Sequence, residues 1–501
     1  MLLSYLLLNF WFLSSISLIT LTTNIILISF IFISFNCLYF VTIYLHFLHN
    51  HNYKNLKDYS RENLQQFKSG FIVNLHLNWQ KNNFKFHYLG QQHTLVIGST
   101  GSGKTQSLVL PNIFINILSN IQSNLVIVDL KGEIFRTLAG YLKYFNYQYF
   151  LFDFVNFNFH HWNPLFLLSK YWNEKNYQQF EIQLDNFLAI LIKQVQSKND
   201  PIWHFSAKIF LKVHFCYLFL TVKKELTLKI FIETFSIGYL KLIRQYKLFL
   251  KSISTEIEFK IFQYNLGILL DSSNRMLPSI YLISLGALQK IATLKFLKMS
   301  ASNDLNLKNN FIIFIKLDPF LETYWMLASL FLDTILVELI NLRLKKLTLF
   351  FLDEFGNLPK ISNFSTLISL GRGLNIYFFI ILQSYDQLMK KYEDYANILA
   401  NIDHHLFLHS NDLKTTDMFS KKLGFLQKKQ TSISKSKSFL TYNYSLKKEL
   451  QLDSYDLTML KKDTAILKSN GLKLVLFKIK YFYQINPIII KKIITKKKEI
   501  G

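Results

Sequence analysis

Cysteine and acidic side chains are both scarce in this sequence. Its 501 residues include two cysteines, Cys37 and Cys216, and 32 acidic residues against 57 lysines and arginines, which gives a net charge of +25. Two cysteines cannot make the disulfide framework of a small secreted protein, so they favour a reducing cytosol. The basic excess favours anionic partners such as nucleic acid or phospholipid headgroups. It is supporting evidence only, because an A/T-rich genome also encodes much Phe, Lys, Asn and Ile.

Charge of either sign is also low, whereas apolar residues are plentiful. Only 18% of the residues are charged, while 50% are hydrophobic and 16% are aromatic. This composition can bury several cores, which excludes a disordered or fibrous chain. The length favours two or three domains.

Charged side chains are absent between Leu2 and Tyr53. A bilayer-spanning helix needs roughly 20 apolar residues, so two spans fit here, from Leu2 to about Ile19 and from Ile25 to about Leu45. One long span is the alternative. Lys54 and the basic residues after it place the rest of the chain in the cytoplasm by the positive-inside rule. We therefore predict a multi-pass anchor at residues 1–50, in the lipid of the inner or plasma membrane, and no further span.

A phosphate-binding loop follows a short β-rich run. Residues 98–105 match the whole G-x-x-x-x-G-K-[ST] pattern, in which backbone N–H groups surround phosphate oxygens at the start of a helix. Lys104 is predicted to reach the β- and γ-phosphates of ATP, and the Thr105 hydroxyl to ligate Mg²⁺. The predicted ATP-binding residues are Gly98, Ser99, Thr100, Gly101, Ser102, Gly103, Lys104 and Thr105.

A second acidic element is expected beside such a loop. The apolar run 347–352 ends in Asp353 and Glu354, which is the Walker B arrangement of carboxylates at the end of a buried strand. Asp353 is predicted to hold Mg²⁺ through water, and Glu354 to act as the general base on the attacking water. A helix-capping acidic pair is the simpler alternative.

A third apolar run, Asn375–Leu382, ends in Gln383 and Ser384. A glutamine at the end of a strand can sense the γ-phosphate or orient water. Arg372 lies between two glycines just before this run and could reach a neighbouring subunit's nucleotide as an arginine finger. A solvated loop arginine is the alternative.

The order of elements divides the chain beyond the anchor. Residues 51–90 are predicted to be a linker with a strand pair. Residues 91–168 and 306–482 alternate strands with helices, which predicts a parallel sheet covered on both faces. Residues 169–305 show apolar spacing of the 3.6-residue type, which predicts an inserted all-α domain. Residues 483–501 are a short basic tail.

Two segments of the second sheet portion have individual predictions. Lys421–Lys448 is rich in Lys and Ser and is predicted to be a mobile loop. Lys473–Phe482 is predicted to be a late strand, antiparallel at the edge of the sheet together with the strands at 405–408 and 465–468.

The motifs form an ordered set that resembles a known family. The set comprises the loop at 98–105, Asp129–Glu133, Asn163–Leu165, Asp200–Trp203, Leu352–Gly356, Leu370–Gly373, Ile381–Ser384 and Ser410–Asp412. Each string is weak alone, but their order, over roughly residues 90–482, is similar to that of the type IV secretion coupling proteins, the TraG-type conjugation ATPases.

The resemblance implies an α/β fold of the RecA-like P-loop NTPase type, with a mostly parallel sheet, an inserted all-α domain and an N-terminal transmembrane helical hairpin. It implies a homo-hexamer that uses ATP and Mg²⁺ to move single-stranded DNA with its attached relaxase, or a protein, into a type IV secretion channel. It also implies the nucleotide and Walker B roles above, and it supports Arg372 as a finger and Gln383 as a coupling residue.

Several points stay open at the level of sequence. Asp129 and Glu133 either touch the water shell of the metal or pair with Lys131 at the rim of the site. The turn between the predicted spans is shorter than in most members, and the tail lacks the acidic extension that some members have. The alternative functions are an FtsK-type translocase of double-stranded DNA and an ATP-gated membrane receptor that is not a motor.

Overall fold

A nine-stranded sheet forms the core of the part of the chain that the structure describes. The structure, a computed structural model, describes residues 71–484. Within that range it leaves out 79–82, 89, 119–122, 145–146, 194–200, 223–225, 252–256, 272–274, 308–310, 319–321, 359, 436–439 and 471–473. The membrane anchor predicted at 1–50 lies outside the described residues, as does most of the tail predicted at 483–501.

The strands, in chain order, are β1 (Ile72–Asn78), β2 (Asn83–Tyr88), β3 (Thr94–Ile97), β4 (Asn124–Asp129), β5 (Phe150–Asp153), β6 (Ile312–Lys316), β7 (Thr348–Leu352), β8 (Ile376–Leu382), β9 (His404–Phe407), β10 (Phe425–Lys435), β11 (Leu440–Leu450), β12 (Thr464–Ser469) and β13 (Val475–Lys478). The α-helices are α1 (Leu110–Leu118), α2 (Glu133–Tyr144), α3 (Phe166–Asn173), α4 (Tyr177–Lys193), α5 (Pro201–Thr221), α6 (Leu228–Phe235), α7 (Tyr239–Leu250), α8 (Ile257–Leu270), α9 (Leu277–Gln289), α10 (Leu294–Met299), α11 (Glu322–Leu342), α12 (Phe364–Leu370), α13 (Tyr385–Lys391), α14 (Tyr395–Ala400), α15 (Leu413–Leu423) and α16 (Ser454–Thr458).

The central sheet has the order β13-β12-β9-β3-β8-β7-β4-β6-β5. From β9 to β5 every pairing is parallel, whereas β12 is antiparallel to both β9 and β13. Parallel strands covered on both faces read as continuous apolar runs, and every residue of β7 and β8 is buried. The predicted mostly parallel sheet is confirmed, and so are the late antiparallel strands β12 and β13. The prediction for 405–408 is wrong in part, because β9 lies inside the sheet and pairs in parallel with β3.

Helices α3 to α10 lie between β5 and β6 in the chain and pack through aromatic side chains. The rings of Phe215 (α5) and Phe231 (α6) stack with centroids 3.8 Å apart. The His214 ring nitrogens lie 2.7 Å from the Tyr246 hydroxyl and 3.0 Å from the Thr234 hydroxyl. Burial lowers the pKa of His214 to about 3, so the imidazole is neutral in this core.

Helix α11 is the crossover between the parallel strands β6 and β7. Its residues 324–342 have a mean hydropathy of 1.6, and among the described residues this is the one helix long and apolar enough to cross a membrane. However, 67% of that window is buried inside the protein. The ring of Phe331 packs against those of Phe152 and Trp162, with centroid distances of 4.4 and 4.9 Å. Its apolar composition is therefore explained by its contacts with the sheet.

The prediction of a mobile loop at Lys421–Lys448 is wrong. Strands β10 and β11 form an antiparallel hairpin there, in register from Phe425 opposite Leu450 to Lys435 opposite Leu440. Each strand has 11 residues, and the backbone hydrogen bonds between them satisfy the N–H and C=O groups that face the partner strand.

The strand predicted at Lys473–Phe482 is too long. β13 ends at Lys478, and the chain then turns, with the Gln484 N–H donating to the carbonyl oxygen of Tyr481 at 2.9 Å. The apolar run continues past the strand because Phe482 is buried against a helix and not because the sheet continues. Nearer the start of the chain, the strand pair predicted within 51–90 is confirmed by the antiparallel β1 and β2.

Candidate nucleotide-binding site

The loop at 98–105 leaves the carboxyl end of β3, in the middle of the sheet. The Gly98 N–H donates to the Leu382 carbonyl oxygen at 3.1 Å, and the Ser99 N–H donates to the His409 carbonyl oxygen at 2.8 Å. These bonds fasten the loop to the ends of β8 and β9. Gly101 has φ +79° and Gly103 has φ +81°, in the left-handed region that side chains other than glycine rarely adopt.

Lys104 is folded back over the loop that carries it. Its Nζ atom donates to the carbonyl oxygens of Gly98 at 2.6 Å and Ser99 at 2.8 Å, and the residue is 8% exposed. Burial lowers the pKa of the Lys104 ammonium, while the nearby carboxylates of Asp353 and Glu354 oppose that shift. The loop continues into a π-helical turn, Thr105–Val109, before α1, a local geometry that is frequent at functional sites.

Thr105 and Asp353 are in direct contact, although 248 residues separate them in the chain. The Thr105 Oγ1 atom donates to Asp353 Oδ2 at 3.0 Å. The pKa of Asp353 is raised to about 6, chiefly by burial and also by the carboxylates of Glu354 and Asp129, against the opposing effects of the Thr105 hydrogen bond and Lys104. A hydroxyl and a carboxylate are hard oxygen ligands, the donor set that Mg²⁺ prefers. The two predicted metal-binding residues therefore lie together.

Glu354 adopts a left-handed backbone conformation, with φ 53° and ψ 43°. Its Oε1 atom lies 2.8 Å from Lys131 Nζ, and its Oε2 atom accepts from Asn357 Nδ2 at 3.3 Å. Such a conformation costs of the order of 1 kcal/mol for a residue with a side chain, and these bonds fix the carboxylate beside Asp353. The lysine partner was not predicted, since no sequence signal pairs residues on different strands.

In the part of the chain that the structure describes, the acidic side chains of the motif at 129–133 form no direct ion pair with Lys131. The Asp129 carboxylate accepts from the Phe135 backbone N–H at 2.9 Å, at the start of α2, and the ion pair of Lys131 is with Glu354. The reading in which Asp129 or Glu133 pairs with Lys131 at the rim is therefore corrected. Burial raises the pKa of Asp129, and the backbone N–H groups of α2 oppose that shift. An acidic residue shortly before a helix is a capping signal.

Gln383 follows β8 and lies on the same edge of the sheet as the loop. Its backbone N–H donates to Gln387 Oε1 at 2.9 Å. An open cleft of about 750 Å³ lies here, lined by Ser99, Thr100, Gln383, Ser384, Asp386, Gln387, Ser410, Asn411, Asp412 and Lys414. The predicted glutamine thus faces a cleft that also includes the start of the phosphate-binding loop.

Arg372 precedes β8 and so lies at the opposite edge of the sheet. Seven strand residues separate the two edges, or about 20 Å at roughly 3.3 Å per residue. The Arg372 guanidinium is half-exposed and forms an ion pair with the Asp403 carboxylate. The structure does not bring Arg372 to the loop of its own chain, so its action as a finger on a neighbouring chain stays a prediction, with a loop arginine as the alternative.

Lys391 joins the segments that follow Glu354 and Gln383. Its Nζ atom donates to the Phe355 carbonyl oxygen at 2.8 Å and also to that of Leu358. Burial lowers the pKa of this ammonium to about 8. Sequence reasoning missed this residue, because a lysine on an ordinary amphipathic helix carries no signal for buried backbone contacts.

Residues 51–499 match the model of the family described as type IV secretory system conjugative DNA transfer. No curated protein matches the chain.

Among solved structures, the chain is similar to the unbound bacterial conjugative coupling protein TrwBdeltaN70, with a TM-score of 0.59, 15% identity, and coverage of 84% of this chain and 91% of that one. It is also similar to plasmid coupling protein TrwB in complex with ADP and Mg²⁺, with a TM-score of 0.57, 15% identity, and coverage of 78% and 86%. A third likeness is to VirB4 of Thermoanaerobacter pseudethanolicus, with a TM-score of 0.50, 12% identity, and coverage of 82% and 96%. At such identities the structural likenesses show the fold.

Proposed function

Since this chain belongs to the type IV secretory system conjugative DNA transfer family, we propose that it is the ATP-driven coupling protein of such a system. In this proposal it binds ATP with Mg²⁺, hydrolyses it, and uses the free energy to move a substrate into the secretion channel. The observation that carries the ATPase part is the 3.0 Å hydrogen bond between Thr105 and Asp353. This bond joins the phosphate-binding loop to the acidic residues at the end of β7. A phosphate hydrolase of this type needs both parts in one site.

The residues of the site fit the steps of phosphoryl transfer. Thr105 and Asp353 would hold Mg²⁺, which would supply positive charge to neutralise the phosphates. The Lys104 ammonium exchanges its two loop carbonyl partners for phosphate oxygens, which are stronger acceptors because they are charged. The Glu354 carboxylate accepts a proton from the attacking water, and its bond to Lys131 holds it in place until then. Gln383 orients that water or senses the γ-phosphate.

The proposed assembly is a homo-hexamer in which Arg372 reaches the nucleotide of the next subunit. Its half-exposed position, far from the loop of its own chain, supports this role, because a finger that acts in trans must leave its own nucleotide site. Residues 91–168 and 306–482 would be the two parts of the nucleotide-binding domain, and 169–305 the inserted domain at the cytoplasmic entrance.

The proposed substrate is single-stranded DNA with its attached relaxase, or a protein delivered to the same channel. The net charge of +25 supports a polyanion, which lysines would hold through phosphates without reading sequence. The predicted spans in 1–50 would anchor the ring in the inner or plasma membrane, with the ATPase part in the cytoplasm. Residues 51–90 would link the anchor to it, and 483–501 would form a basic tail.

The test is ATP hydrolysis by the full chain in detergent, with and without single-stranded DNA. Glu354→Gln is expected to lower turnover about 10²- to 10⁴-fold, the usual contribution of a general base, while ATP binding is kept. Lys104→Ala is expected to lose both ATP binding and turnover. Exposed residues provide matched controls, Glu393→Gln and Lys462→Ala, which are expected to behave as wild type.

The outcomes separate the alternatives. Turnover stimulated by single-stranded DNA and abolished by both site variants supports the coupling ATPase. Equal or stronger stimulation by double-stranded DNA would indicate an FtsK-type translocase. ATP binding without turnover, in protein shown to be folded and assembled, would refute the motor and leave a nucleotide-gated receptor.

A further inference from the structure

An aromatic ring lies directly on the phosphate-binding loop. A Cβ atom built at Gly103 would be 2.6 Å from Tyr481 Cε1 and 3.5 Å from both Cδ1 and Cζ of the same ring. The glycine is therefore needed for a second reason besides its positive φ, because any side chain there would displace the tyrosine. Tyr481 is far from the motif in sequence and does not belong to any of the strings that predicted the site.

The topology of the sheet explains how Tyr481 reaches the loop. β12 is antiparallel to β9, and β13 is antiparallel to β12. β13 therefore runs in the same direction as β9 and β3, and its carboxyl end lies on the edge of the sheet from which the loop leaves. Tyr481 follows that end by three residues.

The two residues that follow Tyr481 differ in exposure, since Phe482 is buried and Tyr483 is exposed. Phe482 is 3% exposed, and its ring meets that of Phe114 in α1 edge-on, with centroids 5.2 Å apart. This contact anchors the segment against the helix that follows the loop. Tyr483 is 64% exposed, and its ring is nearly parallel to that of Tyr481, at 5° and a centroid distance of 5.5 Å. The buried phenylalanine holds the segment, so the two tyrosine rings are not required for the core.

We propose that Tyr481, supported by Tyr483, stacks on the base of the nucleoside triphosphate whose phosphates the loop holds. The inference rests on the proposed function, since it assigns the base-binding part of the same site. Base–aromatic stacking uses the π-face that every base has, and it tolerates base identity. The site therefore takes nucleoside triphosphates without selecting the base, and ATP and GTP are expected to bind with similar affinity.

The test compares the Kd of ATP with that of inorganic tripolyphosphate, which has the phosphates and no base, for the full chain with Mg²⁺. Tyr481→Ala is expected to weaken ATP binding about 5- to 100-fold and to leave tripolyphosphate binding unchanged. Tyr481→Phe keeps the ring and is expected to bind ATP as wild type does. Tyr455→Ala, at an exposed tyrosine in α16, is the matched control and should change neither Kd.

Each other outcome overturns the assignment in a recognisable way. Equal loss of both ligands in Tyr481→Ala would mean that the ring shapes the loop without contacting a base. Tighter ATP binding in that variant would mean that the ring blocks the site. A wild-type protein that binds neither ATP nor tripolyphosphate would refute the proposed function itself, and the base contact with it.

Discussion

Substituting Gly103 by alanine tests the geometry of the loop with a single methyl group. The residue has φ +81°, and a left-handed conformation costs a residue with a Cβ atom about 1–2 kcal/mol. The new methyl group would also lie 2.6 Å from Tyr481 Cε1, so the tyrosine ring must swing aside. Both effects act on the loop, and we expect Gly103→Ala to lower thermal stability and to abolish measurable ATP binding.

The matched control is Gly140→Ala. Gly140 lies inside α2, and nothing is within 4 Å of a Cβ atom built there. Alanine in place of glycine in a helix stabilises it by about 1 kcal/mol, so this variant should unfold at a higher temperature than wild type and bind ATP normally.

A double substitution separates the two effects at Gly103. In Gly103→Ala/Tyr481→Ala the ring is gone and only the backbone strain is left, so its stability should exceed that expected from adding the two single changes. Thermal unfolding and ATP titration by calorimetry measure all four proteins. Unchanged stability and ATP affinity in Gly103→Ala would refute the described loop conformation and the contact with Tyr481 together.

Three further predictions concern charge. Burial raises the pKa of Asp353 to about 6, and the deprotonated carboxylate is the form that binds a metal ion. The advantage of wild type over Asp353→Asn in Mg²⁺·ATP affinity should therefore shrink as pH falls from 7 to 5. A constant ratio of the two Kd values would contradict this. His214 has a pKa of about 3 in the folded protein and about 6.5 in the unfolded chain. Its contribution to the free energy of unfolding is therefore complete above pH 6.5 and is lost as pH falls below that value. The unfolding temperature measured across this pH range should decline, and a flat profile would count against the buried neutral imidazole. Arg372→Ala should keep ATP binding and lose turnover in the assembled protein, and full turnover would exclude a finger role.

The sequence was most informative where function depends on contiguous residues. The loop at 98–105 and the Asp353–Glu354 pair were recognisable because a phosphate cradle and a strand-end carboxylate are both built from neighbouring positions. The strands themselves were predicted to within a few residues, since continuous apolar runs are typical of a parallel sheet. The hairpin of β10 and β11 was missed because its strands are rich in lysine and serine and lack the continuous apolar runs of the parallel sheet.

Contacts between distant segments could not be predicted in this way. Lys131 meets Glu354 because β4 and β7 are neighbours in the sheet, and the order of strands does not follow the order of the sequence. Tyr481 reaches Gly103 only after two antiparallel returns of the chain. Both contacts depend on topology, which a single sequence does not specify.

Strand β8 has a consequence for communication between subunits. Arg372 precedes it at one edge of the sheet and Gln383 follows it at the other, and all seven strand residues are buried. A close-packed strand is nearly incompressible and transmits displacement along its length. In the proposed ring, a shift of Gln383 on loss of a γ-phosphate would therefore push Arg372 toward or away from the next subunit's nucleotide. β8 would thereby couple the nucleotide state of one subunit to ATP hydrolysis in the next, and so set the order of hydrolysis around the ring.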